Sequence, residues 1–435
     1  MSGITCKFGG SSLADPACFR QVRSIIEADA DRRFIVPSAP GKRHKADIKI
    51  TDLLYAWHSL AQQGLSASEP RGLIETRFAE LASELGIEFD VRAELALIAA
   101  ESADHDEPDF MASRGEYLNG ELLARYFDAE FVDPADYIKF DAEGALDPLS
   151  YELLGKTLSG PGRYVIPGFY GSRPDGRIRT FSRGGSDVSG AIVARATNSR
   201  IYENWTDVSG FRMADPAVVP EARRIDEITY RELRELSYMG AKVLHDEAIF
   251  PVREPGIPIN IRNTHAPDDP GTMILPTREG GPMVCGIAGR AGFTMINIEK
   301  TLMNRERGFG RRVLSVLEEY GVSFEHMPTG IDTMSLIVLD EELDDHGAAI
   351  LKHIERTCEP DRMTLTHDLA IVATVGEGMA GHVGMAARLF AALAGAGVNV
   401  RVIDQGSSEN NIIVGVSAVD LHATVRAIYE AFEDV

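Results

Sequence analysis

Cysteine is scarce in this chain: four residues in 435, at Cys6, Cys18, Cys285 and Cys358, with no CxxC pair among them. That spacing argues against a thiolate zinc site or a dithiol redox couple, so the cysteines read as reduced and structural. Long apolar runs are missing as well. No stretch reaches the roughly 20 residues of a membrane helix, and no basic segment leads into a long apolar one at the start, so a cytoplasmic chain with no membrane partner is expected. Positive charge is the third shortage: 44 Lys and Arg stand against 66 Asp and Glu, a net charge of -22. Such a chain repels nucleic acid, which is not expected as a partner, and any polyanionic ligand has to meet a local basic pocket. Lysine or arginine beside glycine is therefore the place to look.

What is present fits a globular protein, with 44% hydrophobic and 25% charged residues. The length calls for two or three domains. Short apolar runs read as strands: "GITCKF", "RRFIVPSA", "EFVDPADYIKF", "RYVIPGFYG" and "SRIYENWTD". Helical patterns such as "TDLLYAWHSLAQQG" and "GEYLNGELLARYF" lie between them. This alternation predicts an α/β fold with a mostly parallel central sheet covered on both faces, which binds ligands at the carboxyl ends of its strands. Residues 66–105 read as a helical insertion, and "SRPDGRIRTF" as a hairpin around Pro-Asp-Gly. A boundary is expected near "APDDPGTMILPTREGG", where proline, glycine and acidic residues cluster.

Beyond that point the chain repeats itself. At an offset of 76 residues (384 − 308), the 31 residues from Gly308 overlay those from Gly384 without a gap. Gly321 and Val322 meet Gly397 and Val398, and Ile337 and Val338 meet Ile413 and Val414. Each copy reads as helix, turn, strand, turn, strand, with a strand before it and a helix after it. Two small βαββαβ modules are the natural interpretation. The expected domains are 1–277, 278–368 and 369–435.

Five stretches carry residues that can do chemistry. In "KFGGSS", Gly9 and Gly10 follow a strand beside Lys7, and glycine there lets a phosphate approach the main chain; an ordinary tight turn reads the same way. The Walker pattern GxxxxGK[ST] is absent. In "FSRGGSDVSG", Arg183 to Asp187 precede a small-residue helix whose N-terminus presents free amides, although Ser186 or Asp187 could simply cap that helix. In "SRGEYLNG", Arg114 and Glu116 open a helix, where a glutamate is favourable for the dipole alone. Thr206 and Asp207 follow a strand in "NWTDVSG", where an aspartate serves a ribose, a metal-bridged phosphate or a turn amide. Lys242 in "YMGAKVLHDEAI" is a cation on a helix, or an ordinary surface lysine.

Together these stretches resemble the aspartate kinases of the amino acid kinase superfamily, in order and over nearly the whole chain. The matching motifs are KFGGSS at Lys7 to Ser12, Ser38-Ala39 with Thr51 after it, Gly115-Glu116, the RGGSD turn at Arg183 to Asp187, Thr206 to Gly210, and GAKVLH at Gly240 to His245. The C-terminal pair is similar to ACT modules. The resemblance implies an αβα sandwich followed by two ferredoxin-like ACT modules, and transfer of the γ-phosphoryl group of ATP, with Mg²⁺, to the side-chain carboxylate of L-aspartate. It makes Lys7 and Asp187 the catalytic residues. Ser38, Thr51, Glu116, Arg183, Gly184, Gly185 and Ser186 would hold the amino acid. Lys7, Gly9, Gly10, Ser11, Thr206, Asp207, Arg212 and Lys242 would hold ATP. The chain departs from the pattern at Ser209, where the family has proline, and at Arg212 and Ala217, where it has tyrosine and arginine.

The ACT resemblance also implies an amino acid effector, lysine ahead of threonine, held by Met303, Gly308, Phe309, Gly310, Glu325 and Asp332. It implies a homo-oligomer, a dimer or a dimer of dimers, through those modules. Two rivals share parts of the pattern. A sister enzyme acting on acetylglutamate, glutamate or UMP would keep the glycine turns without the tandem modules, and a non-catalytic amino acid sensor would keep the modules without Lys7, Glu116, Arg183 and Asp187.

Overall fold

The run ITCKF is apolar save at Thr5 and Lys7, a composition that suits a strand covered on both faces. It forms strand β1 (Ile4–Phe8), buried at every position. The computed structural model describes residues 3–102, 107–182, 184–240, 244, 246–343 and 346–434. They gather into two compact units. The first comprises Met1–Phe211, Asp226–Tyr230 and Lys242–Arg278, and the second Arg212–Ile225, Arg231–Ala241 and Glu279–Val435.

In the first unit β1 is followed by β2 (Arg32–Pro37), β3 (Glu130–Phe131), β4 (Tyr164–Val165), β5 (Tyr170–Ser172), β6 (Ile178–Thr180), β7 (Ile201–Thr206), β8 (Glu227–Thr229), β9 (Ile259–Asn263) and β10 (Thr272–Leu275). Eight of these form one sheet in the order β3-β4-β2-β1-β7-β9-β10-β8. Every pairing in it is parallel except β9 with β10. The remaining two, β5 and β6, are the antiparallel hairpin expected around Pro174-Asp175-Gly176, with Gly176 at φ +84°. Because β1 has β2 on one side and β7 on the other, its carboxyl end is a topological switch point, where open parallel sheets leave a crevice.

Helices Pro16–Glu27, Ile50–Gln62 and Asp109–Phe127 share one core cluster with Phe8, Ile35 and Trp205. The expected insertion consists of helices Ser68–Leu85 and Val91–Glu101, packed into that same core. Among the described residues no helix is long and apolar enough to cross a membrane. One sequence expectation needs correction here. The run "EFVDPADYIKF" is a strand only at β3, because Asp133 caps the Ala135 amide and Pro134 starts the short helix Pro134–Tyr137. The stretch read as a boundary, residues 266–281, contributes β10 to the sheet and also holds the point where the units part, at Arg278 and Glu279.

The second unit is one antiparallel sheet of β11 (Gly286–Glu299), β12 (Thr333–Leu339), β13 (Arg362–Val375), β14 (Val402–Asp404) and β15 (Asn411–Ser417), in the order β12-β11-β13-β15-β14. The repeat is visible in its geometry. Helices Phe309–Glu319 and Met385–Gly395 start 76 residues apart (385 − 309), each preceded by a left-handed glycine, Gly308 at φ +78° and Gly384 at φ +98°. Each half also has its own core cluster, one around Phe309 and Val313, the other around Leu389 and Val414. The expected division after residue 368 falls inside a continuous strand. β11 and β13 pair from Gly286 with Val375 to Glu299 with Arg362, so each serves both halves. The ladder breaks around Gly292, at φ +95°, and Asp368, at φ +57°, where both strands pass from one half to the other.

Candidate active site

The register of the sheet decides what Lys7 meets. Lys7 lies beside Asn204 in the β1/β7 pairing, and alternation points both toward helix Gly185–Ala196. There the Lys7 Nζ sits 2.7 Å from Asp187 Oδ1, while Asn204 Nδ2 donates to the same oxygen at 2.9 Å. The Tyr202 hydroxyl donates to the Asp187 carbonyl at 3.0 Å. Lys7 is only 8% exposed, and a charge buried that deeply is tolerated because it is paired. Asp187 does not cap its helix; no side chain does. The glycines before it are steric necessities: Gly184 is left-handed at φ +77°, and a Cβ on Gly185 would come within 2.7 Å of the Phe169 ring. Phe169 itself holds φ +82°, a strained setting for a bulky residue, and its amide donates to Ser189 Oγ at 2.9 Å.

The opening glycine turn needs no left-handed backbone. Gly9 has φ −68° and Gly10 is not left-handed; close approach is the reason for glycine. A Cβ on Gly10 would lie 3.0 Å from the Ala39 carbonyl, and one on Gly41 2.4 Å from the Gly10 carbonyl. The two turns interlock through Gly41 N–H donating to Gly10 O at 2.8 Å. The Gly9 amide is engaged too, donating to the Trp205 carbonyl at 3.0 Å.

Helix Asp109–Phe127 approaches these turns with Gly115, where a Cβ would lie 2.9 Å from that of Ala39. Asn119 Nδ2 donates to the Ser38 carbonyl at 2.6 Å. Arg114 and Glu116 belong to the second turn of this helix, not its opening, so the helix dipole does not account for the glutamate. Glu116 is 6% exposed, and its Oε2 has no hydrogen-bond partner among the described residues. Burial pushes its carboxyl up to about 7, opposed by the Ala39 amide and by the charges of Arg114 and Lys7. Arg114 is held among the rings of Phe110, Tyr117 and Tyr170, 4.6 to 5.2 Å from their centres.

A cleft of about 560 Å³ brings together Lys7, Ser38, Thr51, Glu116, Gly184, Gly185, Ser186 and Asp187, eight residues the sequence had singled out. The N-termini of helices Ile50–Gln62 and Gly185–Ala196 both open into it, which favours an anionic ligand. Sequence reasoning missed Lys49, Asp52, Tyr55, Phe169, Thr180, Phe181 and Ser182 on its wall. Tyr55 was within reach, since it lies one turn after Thr51 on the same helix face.

At the neighbouring strand ends, Thr206 Oγ1 donates to Asp207 at 3.1 Å, and the Thr206 carbonyl accepts from the Thr264 amide at 2.9 Å. Ser12 and Thr264 share a hydroxyl contact of 2.6 Å, which ties the Gly9–Ser12 turn to β9; Ser11 is exposed beside it. Arg212 belongs to the second unit and donates to the Ala222 carbonyl at 3.1 Å. Arg183 and Lys242 lie outside the described residues. No group of three His, Cys, Asp or Glu side chains suited to a metal occurs among the described residues.

In the second unit Met303 and Phe309 are core residues of the first half. Asp332 braces the loop between them and β11: its carboxylate accepts from the Leu302 amide at 2.8 Å, and its carbonyl from the Lys300 amide at 2.8 Å. Gly308 and Gly310 stand at the helix start, and the Glu325 amide donates to the Ile337 carbonyl at 2.8 Å.

Comparison with known proteins gives this geometry its context. The sequence profile of the Amino acid kinase family matches residues 4–263, and that of the ACT domain residues 372–432. Aspartokinase 3 of Bacillus subtilis (strain 168) is 40% identical over 447 residues, covering 98% of each chain. The crystal structure of Clostridium acetobutylicum aspartate kinase superposes with a TM-score of 0.90 at 50% identity, over 99% of this chain and 100% of that one. E. coli aspartokinase III in complex with aspartate and ADP (R-state) gives 0.80 at 25% identity, and in complex with lysine and aspartate (T-state) 0.76 at 26%, each over 99% of this chain and 100% of that one. Sequence, fold and the same run of motifs agree: the chain belongs to the amino acid kinase family and, within it, to the aspartate kinases with C-terminal ACT domains.

Proposed function

We propose that the cleft binds L-aspartate against the γ-phosphate of ATP, and that the phosphoryl group passes to the β-carboxylate to give 4-phospho-L-aspartate. The observation that carries this reading is the ion pair of Lys7 with Asp187 in the same cleft as the unpartnered carboxyl oxygen of Glu116. The acceptor carboxylate is already ionised and needs no general base. Catalysis is then positioning and charge neutralisation. Asp187 takes one of the three Lys7 N–H donors and aims the others at the transferring oxygens. Glu116, ionised, receives the substrate ammonium. Ser38, Thr51, Ser186 and the amides of Gly184 and Gly185 orient the carboxylates, with Arg183 as their forked partner. Gly9, Gly10, Ser11, Thr206, Asp207 and Lys242 make up the nucleotide side within the first unit.

Mg²⁺ fits this donor set as an ion carried in with ATP. It commonly needs only one or two carboxylates besides phosphate oxygens and water. Held there with ATP, it would supply positive charge that offsets the negative charge of the phosphates. Asp207, exposed at the end of β7, is the carboxylate proposed to hold it. The reading is tested by a hydroxamate assay with ATP, Mg²⁺ and a panel of acceptors. Aspartate is expected to be the accepted one, and preference for glutamate or acetylglutamate would overturn the assignment. Cysteines that are all free agree with a cytoplasmic enzyme.

Lysine is the effector proposed for the second unit, with threonine second. The E. coli relative solved with lysine supports this, as does the placement of Glu325 on the turn after helix Phe309–Glu319. With Met303 and Phe309 in the core, the effector would be held by Glu325, Asp332 and the backbone around Gly308 and Gly310. Millimolar lysine is expected to lower activity, since a coupling of about 1 to 3 kcal/mol is typical of such linkage. Absence of both inhibition and calorimetric binding would remove lysine. The same modules are proposed to make the homo-oligomer, a dimer or a dimer of dimers by light scattering; a monomer would refute it.

A further inference from the structure

Among the described residues that line the cleft, Lys7 and Lys49 alone carry positive charge. They are placed differently. Lys7 is engaged by Asp187 at 2.7 Å, whereas Lys49 is exposed and pairs with no carboxylate among the described residues. Lys49 stands at the N-cap position of helix Ile50–Gln62, in extended backbone, with no side-chain cap of its own. Its ammonium therefore adds to the positive end of a helix that opens into the cleft.

The loop that delivers Lys49 is not free. Arg77, from helix Ser68–Leu85, is 4% exposed and donates to Asp47 at 2.5 Å, to the Gly41 carbonyl at 2.5 Å and to the Ala14 carbonyl at 2.7 Å. Arg43 closes the loop on itself with Asp47 at 3.0 Å and reaches the insertion through Glu80 at 3.0 Å. One guanidinium thus joins the segment before Lys49 to the end of the Gly10–Leu13 turn. Arg43 and Arg77 hold the Asp47 carboxyl well below the usual carboxylate range, so the clasp stays charged through the working pH range.

Both substrates of the proposed reaction are anions, so a second cation on the described wall of the cleft, beside a Lys7 already paired with an aspartate, offsets more of their repulsion. We infer that Lys49 is a further catalytic cation of the cleft, touching the anionic oxygens of the reacting pair, and that Arg77 and Asp47 are positioning residues that hold its loop. The inference rests on the reading of the cleft as the site of phosphoryl transfer.

The test compares full-length wild type, Lys49→Ala and Lys49→Arg by steady-state kinetics and thermal melting. Lys49→Ala is expected to lower kcat/KM roughly 10- to 100-fold, less than loss of a fully positioned donor because Lys49 is exposed and unpaired, with an unchanged melting midpoint. Lys49→Arg is expected to recover most of the loss, because it keeps the charge. Asp47→Asn reads the clasp without deleting buried Arg77: it should slow the wild type severalfold and have no further effect in a Lys49→Ala background. A Lys49→Ala enzyme within twofold of wild type overturns the catalytic role while leaving the functional reading intact. An equal loss from Asp47→Asn in both backgrounds overturns the positioning role. A wild type that does not phosphorylate aspartate overturns both this inference and the reading beneath it.

Discussion

Replacing Lys7 by alanine is expected to lower kcat by about 10²- to 10³-fold, the loss typical of removing one positioned donor to developing charge. Lys7 is fixed twice over, by the β1/β7 register and by its 2.7 Å contact with Asp187. The fold should survive. Deleting one partner of a buried pair leaves the other uncompensated, but Asp187 keeps the Asn204 donor and borders an open cleft. A destabilisation of about 1 to 2 kcal/mol is therefore expected, not the full loss of a sealed pair. Initial rates with aspartate and ATP, read beside a circular-dichroism melt, check both parts. A near-normal kcat in a folded Lys7→Ala enzyme would contradict the assignment.

The second large effect is on pH. With its carboxyl pushed up to about 7 by burial, Glu116 is half protonated near neutrality in the empty cleft. The substrate ammonium needs the ionised form. The KM for aspartate is therefore expected to rise as pH falls below about 7, approaching tenfold per unit, while kcat changes little. Glu116→Gln should bind aspartate weakly at every pH and show a flat profile. A wild-type KM that stays constant from pH 8 to pH 5.5 would remove Glu116 as the ammonium partner. Stability carries the opposite sign. The folded-state value is raised above the ordinary 4.5, so the contribution of this group is fully present below 4.5 and is lost as pH rises through about 7. Glu116→Gln should accordingly lessen the loss of stability on the alkaline side, which denaturant midpoints across the same pH range would read.

These two residues were legible in the sequence to different depths. Lys7 stood out because a cation beside two glycines at the end of an apolar run is rare in an acidic chain. Glu116 stood out through the Gly115-Glu116 motif of the family resemblance; its local reading as a helix-opening glutamate fails, because the helix starts at Asp109 and burial beside the Ala39 amide is what raises the carboxyl. Gly9 and Gly10 were noticed as a place where a phosphate could approach the main chain, whereas the structure shows Gly10 in close contact with a second turn at Gly41, which sequence reasoning missed. Lys49 was passed over, because a lysine just before a helix looks like an ordinary surface residue until the fold turns that helix end toward the cleft.

What the chain determined by itself is whatever depends on neighbours within a few turns. Apolar runs made β1, β2 and β7; Pro174-Asp175-Gly176 made a hairpin; and a period of 76 residues made twin helices with left-handed glycines before them. Strand order, by contrast, is set by long-range packing. Only the placement of β1 between β2 and β7 brings Lys7 to Asp187, 180 residues later (187 − 7), and only continuous pairing of β11 with β13 joins the two halves of the repeat in one sheet. Local side-chain patterns specify which segments become strands and helices. Which strand ends meet, and so which charges share a cleft, is decided by burial of the assembled sheet.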